Sequence, residues 1–486
     1  MMKPTCTPLL KYLLFIACCF ISTNVVAQLT PPAPLPPDVQ ALLNEDTSRK
    51  IFIATIQIQG NKKTKDYIII REMRFKQGDS VKASLLPALI EQSRSLVYNT
   101  QLFTEVAVTP QVTNDALSVS IDVNEKWYLY PTPQFQLVDR NLNEWLKRFN
   151  ADLNRVVYGV KFVQYNFSGR RDQLRVSLLT GYARTISLSY SSPFSNRALT
   201  EGFAISGGYT QFREVNYRTT KNNLISNYTN KGFVRRTFGT SAAYIIRRGF
   251  YNSHVISLGY NTIKVDDSVA IKSGNDYFNS AINSAKFVDL SYAFRHLNVD
   301  NVNYPLKGRF GAVSLFKRGF GFRGGINLLE INARSAIYFP HGKGWNSSFQ
   351  LSGKLKAPFD VAYINRRAFG FGDFYLRGLE YYVIDGVATA LAQYTLKKKI
   401  ISFNIPVPFN IKVLSKIPVA LFAKTFADAG TSYVPPAFDT RLNNRLLYTA
   451  GFGLDILTLY DINLKLEYSF NQLGQNGLFL HMKGGF

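Results

Sequence analysis

The chain has 486 residues, 46% hydrophobic and 14% aromatic, and carries a formal net charge of +25. That length suggests several domains or one large β-architecture, and 28 Tyr and 37 Phe against 3 Trp and 4 Met favour strands over helices. Past Ala27 no stretch approaches the roughly 18 consecutive apolar residues of a membrane helix, so a membrane crossing could be made only by a β-barrel.

The first 27 residues read as a secretory signal: Lys3 and Lys11 ahead of the apolar "LLFIACCFI", then "VVAQ" with Ala27 at the cleavage position. Cys18 as a lipoprotein acceptor is the alternative, although "FIAC" lacks the usual leucine. The three cysteines all lie in this segment, so an exported mature chain gets its rigidity from a core or a closed sheet, not from disulfides. Export also directs the positive charge away from nucleic acid, towards anionic lipid headgroups, lipopolysaccharide phosphates or polypeptide. A lumen and loops rich in Lys and Arg would account for the charge equally well.

Residues 28–50, with "LTPPAPLPPD", form a proline-rich extended linker. Residues 51–126 read as a small α+β domain of order β-α-α-β-β. The strand "IFIATIQIQG" is followed by the helical runs "KDYIIIREMRF" and "LLPALIEQSRSLVYN", with a break at "QGDS" between them. The strands "FTEVAVTPQV" and "ALSVSIDVNE" close the unit.

From residue 127 to residue 486 the pattern changes to alternating segments separated by Gly, Asn, Asp and Pro turns. In "INLKLEYSF", Ile462, Leu464, Leu466, Tyr468 and Phe470 share one face, opposite Asn463, Lys465, Glu467 and Ser469. Apolar-out, polar-in alternation repeated over a whole domain predicts a transmembrane barrel. Strands are expected at 127–136, 155–166, 171–180, 183–192, 201–212, 232–247, 252–265, 285–297, 306–317, 322–338, 345–357, 387–398, 417–427, 446–456, 461–470 and 477–486. They number sixteen, an even count as in bacterial single-chain barrels. Most long connections follow odd-numbered strands, which sets long loops on one rim and short turns on the other; 399–416 is the exception.

Two features single out candidate sites. The long connection 358–386 holds Arg377 between Leu376 and Gly378, and Asp428 in "FADAG" lies on the lumen face of its strand with Phe422, Lys424 and Phe426. A buried guanidinium needs a carboxylate, so an Arg377–Asp428 pair would hold the loop inside the barrel; two solvated loop charges are the alternative. The first strand, "WYLYPTPQF", carries Pro131 and Pro133, which remove two N–H donors from one strand edge.

"YLRGLE" resembles the (V/I)RG(F/Y) loop motif of the BamA/TamA superfamily of outer-membrane assembly barrels, with Leu376 and Leu379 as departures. "FADAG" resembles that superfamily's FxDxG strand motif at Phe426, Asp428 and Gly430. "IQGNKKT", "REMRFKQGD" and "LFTEVAV" resemble its periplasmic POTRA domain, and "NFSGRRDQL", "LSYSSPF" and "NVDNVNYPLKG" resemble its barrel turns. The resemblance implies an all-β transmembrane barrel of sixteen antiparallel strands behind one POTRA domain, placed in the bacterial outer membrane with that domain in the periplasm. It implies a lock of Leu376, Arg377, Gly378 and Leu379 against Phe426, Asp428 and Gly430. It also implies a lateral seam between the first strand, at Pro131 and Pro133, and the last, at Gly484, Gly485 and Phe486. Shaping of the path from domain to barrel is the other role open to the two prolines. The aromatic C-terminal strand further resembles the insertion signal of barrel proteins.

Such a barrel would help fold and insert outer-membrane proteins, with unfolded barrel clients, lipids and lipopolysaccharide as partners and other assembly subunits as further ones. The family usually carries several POTRA domains and this chain has room for one, which leaves accessory subunits and clients open. A two-partner-secretion translocator and a passive pore or structural barrel are the alternatives. Catalysis is not expected, and no cofactor or metal is. His254, His296, His341 and His481 lack ligand spacing, the mature chain has no cysteine, and the GxGxxG of Gly319, Gly321 and Gly324 falls between strands.

Overall fold

The computed structural model describes residues 36–37, 39–40, 49–113, 116–137, 145–146, 150–322, 324–370, 374–406, 416–458 and 463–483. The expected signal segment, nearly all of the linker, and Gly484, Gly485 and Phe486 lie outside them.

The α+β domain packs two helices on a four-stranded sheet. Its strands are β1 (Lys50–Gln59), β2 (Ser80–Lys82), β3 (Phe103–Thr113) and β4 (Ala116–Glu125), in the order β2-β1-β4-β3 with β1 and β4 parallel. Helix α2 (Leu86–Tyr98) buries Leu86, Ile90, Ser93, Leu96 and Val97 on one face, three and four residues apart. Two expectations need correction. The first helix, α1 (Asp66–Ile70), stops early, although a helical run to Phe75 was expected. Met73 and Phe75 are both buried, and two residues apart on a continuing helix they would point about 200° away from each other, so the chain leaves the helix to seat both. The segment at "QGDS" also holds strand β2: Gly78, at φ +91°, donates its N–H to the Ile53 carbonyl and turns the chain back along β1.

Among the described residues, the second unit is one sheet of sixteen antiparallel strands. They are β5 (Leu129–Leu137), β6 (Val156–Tyr165), β7 (Gln173–Gly181), β8 (Ala183–Ser192), β9 (Glu201–Phe212), β12 (Arg235–Arg248), β13 (Asn252–Val265) and β14 (Ser284–Val299). The series continues with β15 (Gly308–Arg318), β16 (Leu328–Gly342), β17 (Trp345–Ala357), β20 (Ala388–Pro406), β21 (Lys416–Tyr433), β22 (Leu446–Leu457), β23 (Asn463–Asn471) and β24 (Asn476–Lys483). Each pairs with its neighbour in chain order, from β5 at one end of the sheet to β24 at the other. The alternation works as the period of a strand requires. Ile186, Leu188, Leu290, Tyr292, Leu478 and Leu480 stand exposed on the outer wall, while Phe422, Lys424, Phe426 and Asp428 of β21 are buried on the inner one.

Three strand boundaries differ from expectation by six residues or more. β21, expected to end at 427, runs to Tyr433, which pairs with Ala388 of β20. β16 begins at Leu328 rather than 322, because Gly319, Gly324 and Gly325 take positive φ and Asn327 bonds the Gly324 carbonyl and the Gly321 N–H. β20 runs on to Pro406, so residues 399–406 of the expected long turn are strand, while 407–415 lie outside the described residues; a bulge between Lys399 and Ile401 lets pairing with β21 continue to Pro406↔Lys416.

The rim bearing the long loops is built up by structure that the alternation gave no sign of. β10 (Glu214–Thr219) and β11 (Ile225–Thr229) form a hairpin, as do β18 (Arg367–Phe369) and β19 (Ile384–Asp385), and α3 (Asp267–Ser273) packs beside them. Val215 of β10 and Val269 of α3 share one apolar cluster with Val265, Tyr277, Phe278 and Tyr363, while Phe369 of β18 and Ile384 of β19 belong to another. The opposite rim meets the α+β domain. There Glu72, 1% exposed, pairs with Arg71 and Arg247, Arg71 donates to the Leu199 carbonyl at 2.6 Å, and Asn99 donates to the Val299 carbonyl at 2.9 Å.

Candidate functional site

The connection between β17 and β20 folds down inside the barrel and ends on β21. Arg377 donates to Asp428 Oδ2 from its backbone N–H at 3.1 Å and from Nε at 2.9 Å, and a second terminal nitrogen bonds Oδ1. The remaining donors reach Thr395 Oγ1 at 3.0 Å and the Tyr394 carbonyl at 3.3 Å. The guanidinium lies 4.1 Å from the Phe426 ring centroid, and Gln393 donates to Asp428 at 2.9 Å. A buried charge held by several bonds and a flat ring is a fixed joint. Residues adjacent to Arg377 are equally fitted. Leu376 and Leu379 enter a core with Phe369, Phe374, Leu391 and Leu447. Gly378 takes φ +93°, and a Cβ there would stand 2.8 Å from the Ser469 Cβ. Gly430 leaves room for Leu376, whose Cδ1 would be 3.3 Å from an added Cβ. All seven residues singled out for the loop thus converge at one place.

The surroundings of that joint have no motif in the sequence. Glu380 accepts from the Gly378 N–H at 2.6 Å and lies 3.4 Å from His481 Nε2, which also lies 3.4 Å from Glu467. Tyr375 stacks on His481 at 5.2 Å and Tyr381 meets Phe479 at 5.5 Å, so the loop touches the last strand as well as β21. Lys424 joins Asp455 and Glu467 across β21, β22 and β23. Tyr304, from the turn between β14 and β15, reaches into the lumen to donate to Asp455 at 2.8 Å. Strand parity sets Lys424 and Glu467 on inward faces and could have found Asp455, but not their joining; nothing local points to Tyr304 or His481.

At the sheet's two ends, among the described residues, no backbone pairing joins β5 to β24. The Tyr165 N–H donates to the Tyr128 carbonyl at 2.7 Å, and the register continues through Tyr130↔Val163, Thr132↔Lys161 and Gln134↔Gly159. In an antiparallel ladder the alternate residues aim their backbone groups the other way. Pro131 and Pro133 therefore face the free edge, where each lacks a donor. Gly319, Gly321 and Gly324 lie in the loop between β15 and β16 with no helix after them.

A family model described as POTRA, surface antigen variable number repeat, matches residues 51–126. Among solved structures, BamA from Haemophilus ducreyi lacking POTRA domains 1–3 aligns with a TM-score of 0.50 at 17% identity, over 90% of this chain and 85% of that one. CdiB from Escherichia coli aligns at 0.49 with 10% identity, over 89% and 75%, and CdiB from Acinetobacter baumannii at 0.44 with 14% identity, over 89% and 73%. No curated protein matches the sequence.

Proposed function

We propose that this chain, which carries one POTRA domain in front of a barrel of the BamA fold, is an outer-membrane protein that assists the folding and insertion of β-barrel clients at its seam. In this reading the POTRA domain stands in the periplasm and the long loops face outward.

The observation that carries it is the edge of β5 that has no partner strand among the described residues. An edge strand is a template for another strand, and here two of its outward-aimed positions, Pro131 and Pro133, cannot donate. The seam is thereby weakened where it must part, while the other outward-aimed groups remain for a client to bond. Burial of the client in lipid and satisfaction of its backbone groups supply the driving force without ATP. The POTRA edge strand β3, paired only with β4 among the described residues, is a second docking edge. The occupied lumen, with its loop locked at Asp428 and Tyr304 reaching in from the other rim, supports a polypeptide-handling role over a passive pore.

Depletion of the protein followed by outer-membrane proteomics tests this. Broad loss of barrel proteins is the expected result. Loss of one secreted polypeptide would transfer the chain to the two-partner-secretion translocators, and an unchanged proteome with altered small-solute permeability would make it a pore.

A further inference from the structure

Between the POTRA domain and the barrel, a cavity of about 990 Å3 lies between helix α2 and the inner wall of β7, β12, β13 and β14. Arg171 reaches it from the turn before β7, Arg175 from β7, Arg247 from β12 and Arg295 from β14. The carboxylates around it are already engaged with the protein. Glu72 is held by Arg71 and Arg247, and Glu91 by Arg94 at 2.6 Å. Asp172 accepts from the Ser168 N–H at 2.8 Å and the Tyr190 hydroxyl at 2.9 Å; Asp300 accepts from the N–H groups of Leu306 and Lys307 at 3.0 and 3.1 Å.

The arginines are not matched in the same way. Arg171 donates to the Thr100 and Asn99 carbonyls and lies over Phe194. Burial, then the neighbouring guanidinium of Arg247, push it down to about 10. Arg175 and Arg295 stand exposed to the chamber, and among the described residues Arg295 has no hydrogen-bond or carboxylate partner. With Lys307 the lining holds five cations against four carboxylates, and Arg175 and Arg295 present their charge to the open chamber, which favours an anionic occupant. The four arginines are spread over several strands, with Gln92, Gln101, Gln173, Asn252 and Asn298 around them. Amide side chains both donate and accept, which suits a peptide backbone; a phosphate group offers acceptors almost alone.

We propose that this chamber receives an extended, acidic polypeptide segment, whose carboxylates meet Arg295 and Arg175 while the wall amides bond its backbone. The assignment rests on the client-handling reading above and adds to it the chemistry of the client.

The test uses the full chain in detergent micelles and a short fluorescent peptide alternating threonine with aspartate, beside its asparagine counterpart. The acidic peptide is expected to bind about tenfold or more tightly at low ionic strength and to lose that preference as salt rises. Arg175→Gln with Arg295→Gln should abolish the preference, and Arg175→Lys with Arg295→Lys should keep it. The heat-shifted gel mobility of folded barrels checks that each variant has formed. Equal binding of the two peptides, or an undiminished preference in the double Gln variant, overturns the proposal. Complete displacement of the peptide by an equal concentration of inorganic phosphate overturns it too, in favour of a small phosphate-bearing ligand. An unchanged proteome on depletion, with the acidic preference intact, sinks the insertase reading and leaves the chamber standing. Broad barrel loss without the preference sinks the chamber alone.

Discussion

Strands β20 and β21 stay paired with each other from Ala388↔Tyr433 to Pro406↔Lys416, whereas among the described residues β5 pairs with β6 alone and β24 with β23 alone. The long pair also carries the loop joint, since Gln393, Thr395 and Asp428 all belong to it. Among the described residues β5 and β24 stand at the two ends of the sheet, and β5 has two positions without donors. Local opening occurs where the fewest hydrogen bonds and least packing must be given up. The wall that holds the loop is thus the more firmly tied of the two regions, and in the proposed reading the seam between β5 and β24 is the one that opens. The loop spans both regions, fixed to Asp428 through Arg377 and resting on Phe479 and His481 of the last strand through Tyr381 and Tyr375.

Breaking the rigid side should have the largest effect. Asp428→Ala leaves the Arg377 guanidinium buried without its carboxylate, a loss of about 3–5 kcal/mol. The expected outcome is a lower temperature for the heat-induced gel shift and protease cleavage within 358–386; continued protection would mean that packing alone holds the loop. Lys424→Met removes the ammonium between Asp455 and Glu467, with Lys397, 3.6 Å from Asp455, left as a partial substitute. A smaller destabilisation of about 2–3 kcal/mol is expected by the same gel assay, and an unchanged transition would show that Lys397 suffices.

The weak side is sharpened by strengthening it. Replacing Pro131 and Pro133 together with Val restores two donors at the free edge, each worth about 0.5–1.5 kcal/mol once paired. Disulfide trapping between engineered cysteines across β5 and β24 should then report a more closed seam, and client assembly should slow. If neither changes, the prolines only shape the chain's path from domain to barrel. Gly430→Ala is the mildest test. Its Cβ would approach the Ala390 carbonyl at 3.1 Å and Leu376 at 3.3 Å, so a loss of about 1 kcal/mol in gel-shift stability is expected from overpacking. A neutral result would show that Leu376 can move aside.

Much of this was legible in the sequence, for different reasons in different places. Leu464, Leu466, Tyr468 and Phe470 could be assigned to the outer wall because strand side chains alternate whatever the neighbouring strands are. The same parity set Asp428 inward. The segment 399–416 misled because the bulge at Lys399 to Ile401 breaks the alternation while the ladder continues. The run ending at Phe75 misled because core shape, not helical spacing, placed Met73 and Phe75. His481 looked like one of four scattered histidines until the loop brought Glu380 beside it.

Residue order by itself thus determined the number of barrel strands, which faces they turn to lipid, and a compact α+β unit ahead of them, since these follow from backbone periodicity and local side-chain character. Only the tertiary structure decided what meets inside. Tyr304 reaches Asp455 from 151 positions away, and the arginine-rich wall stands opposite helix α2 of another domain. Pairings of that kind depend on how the sheet curves and where the loop and the POTRA domain settle, and no local pattern in the chain records them.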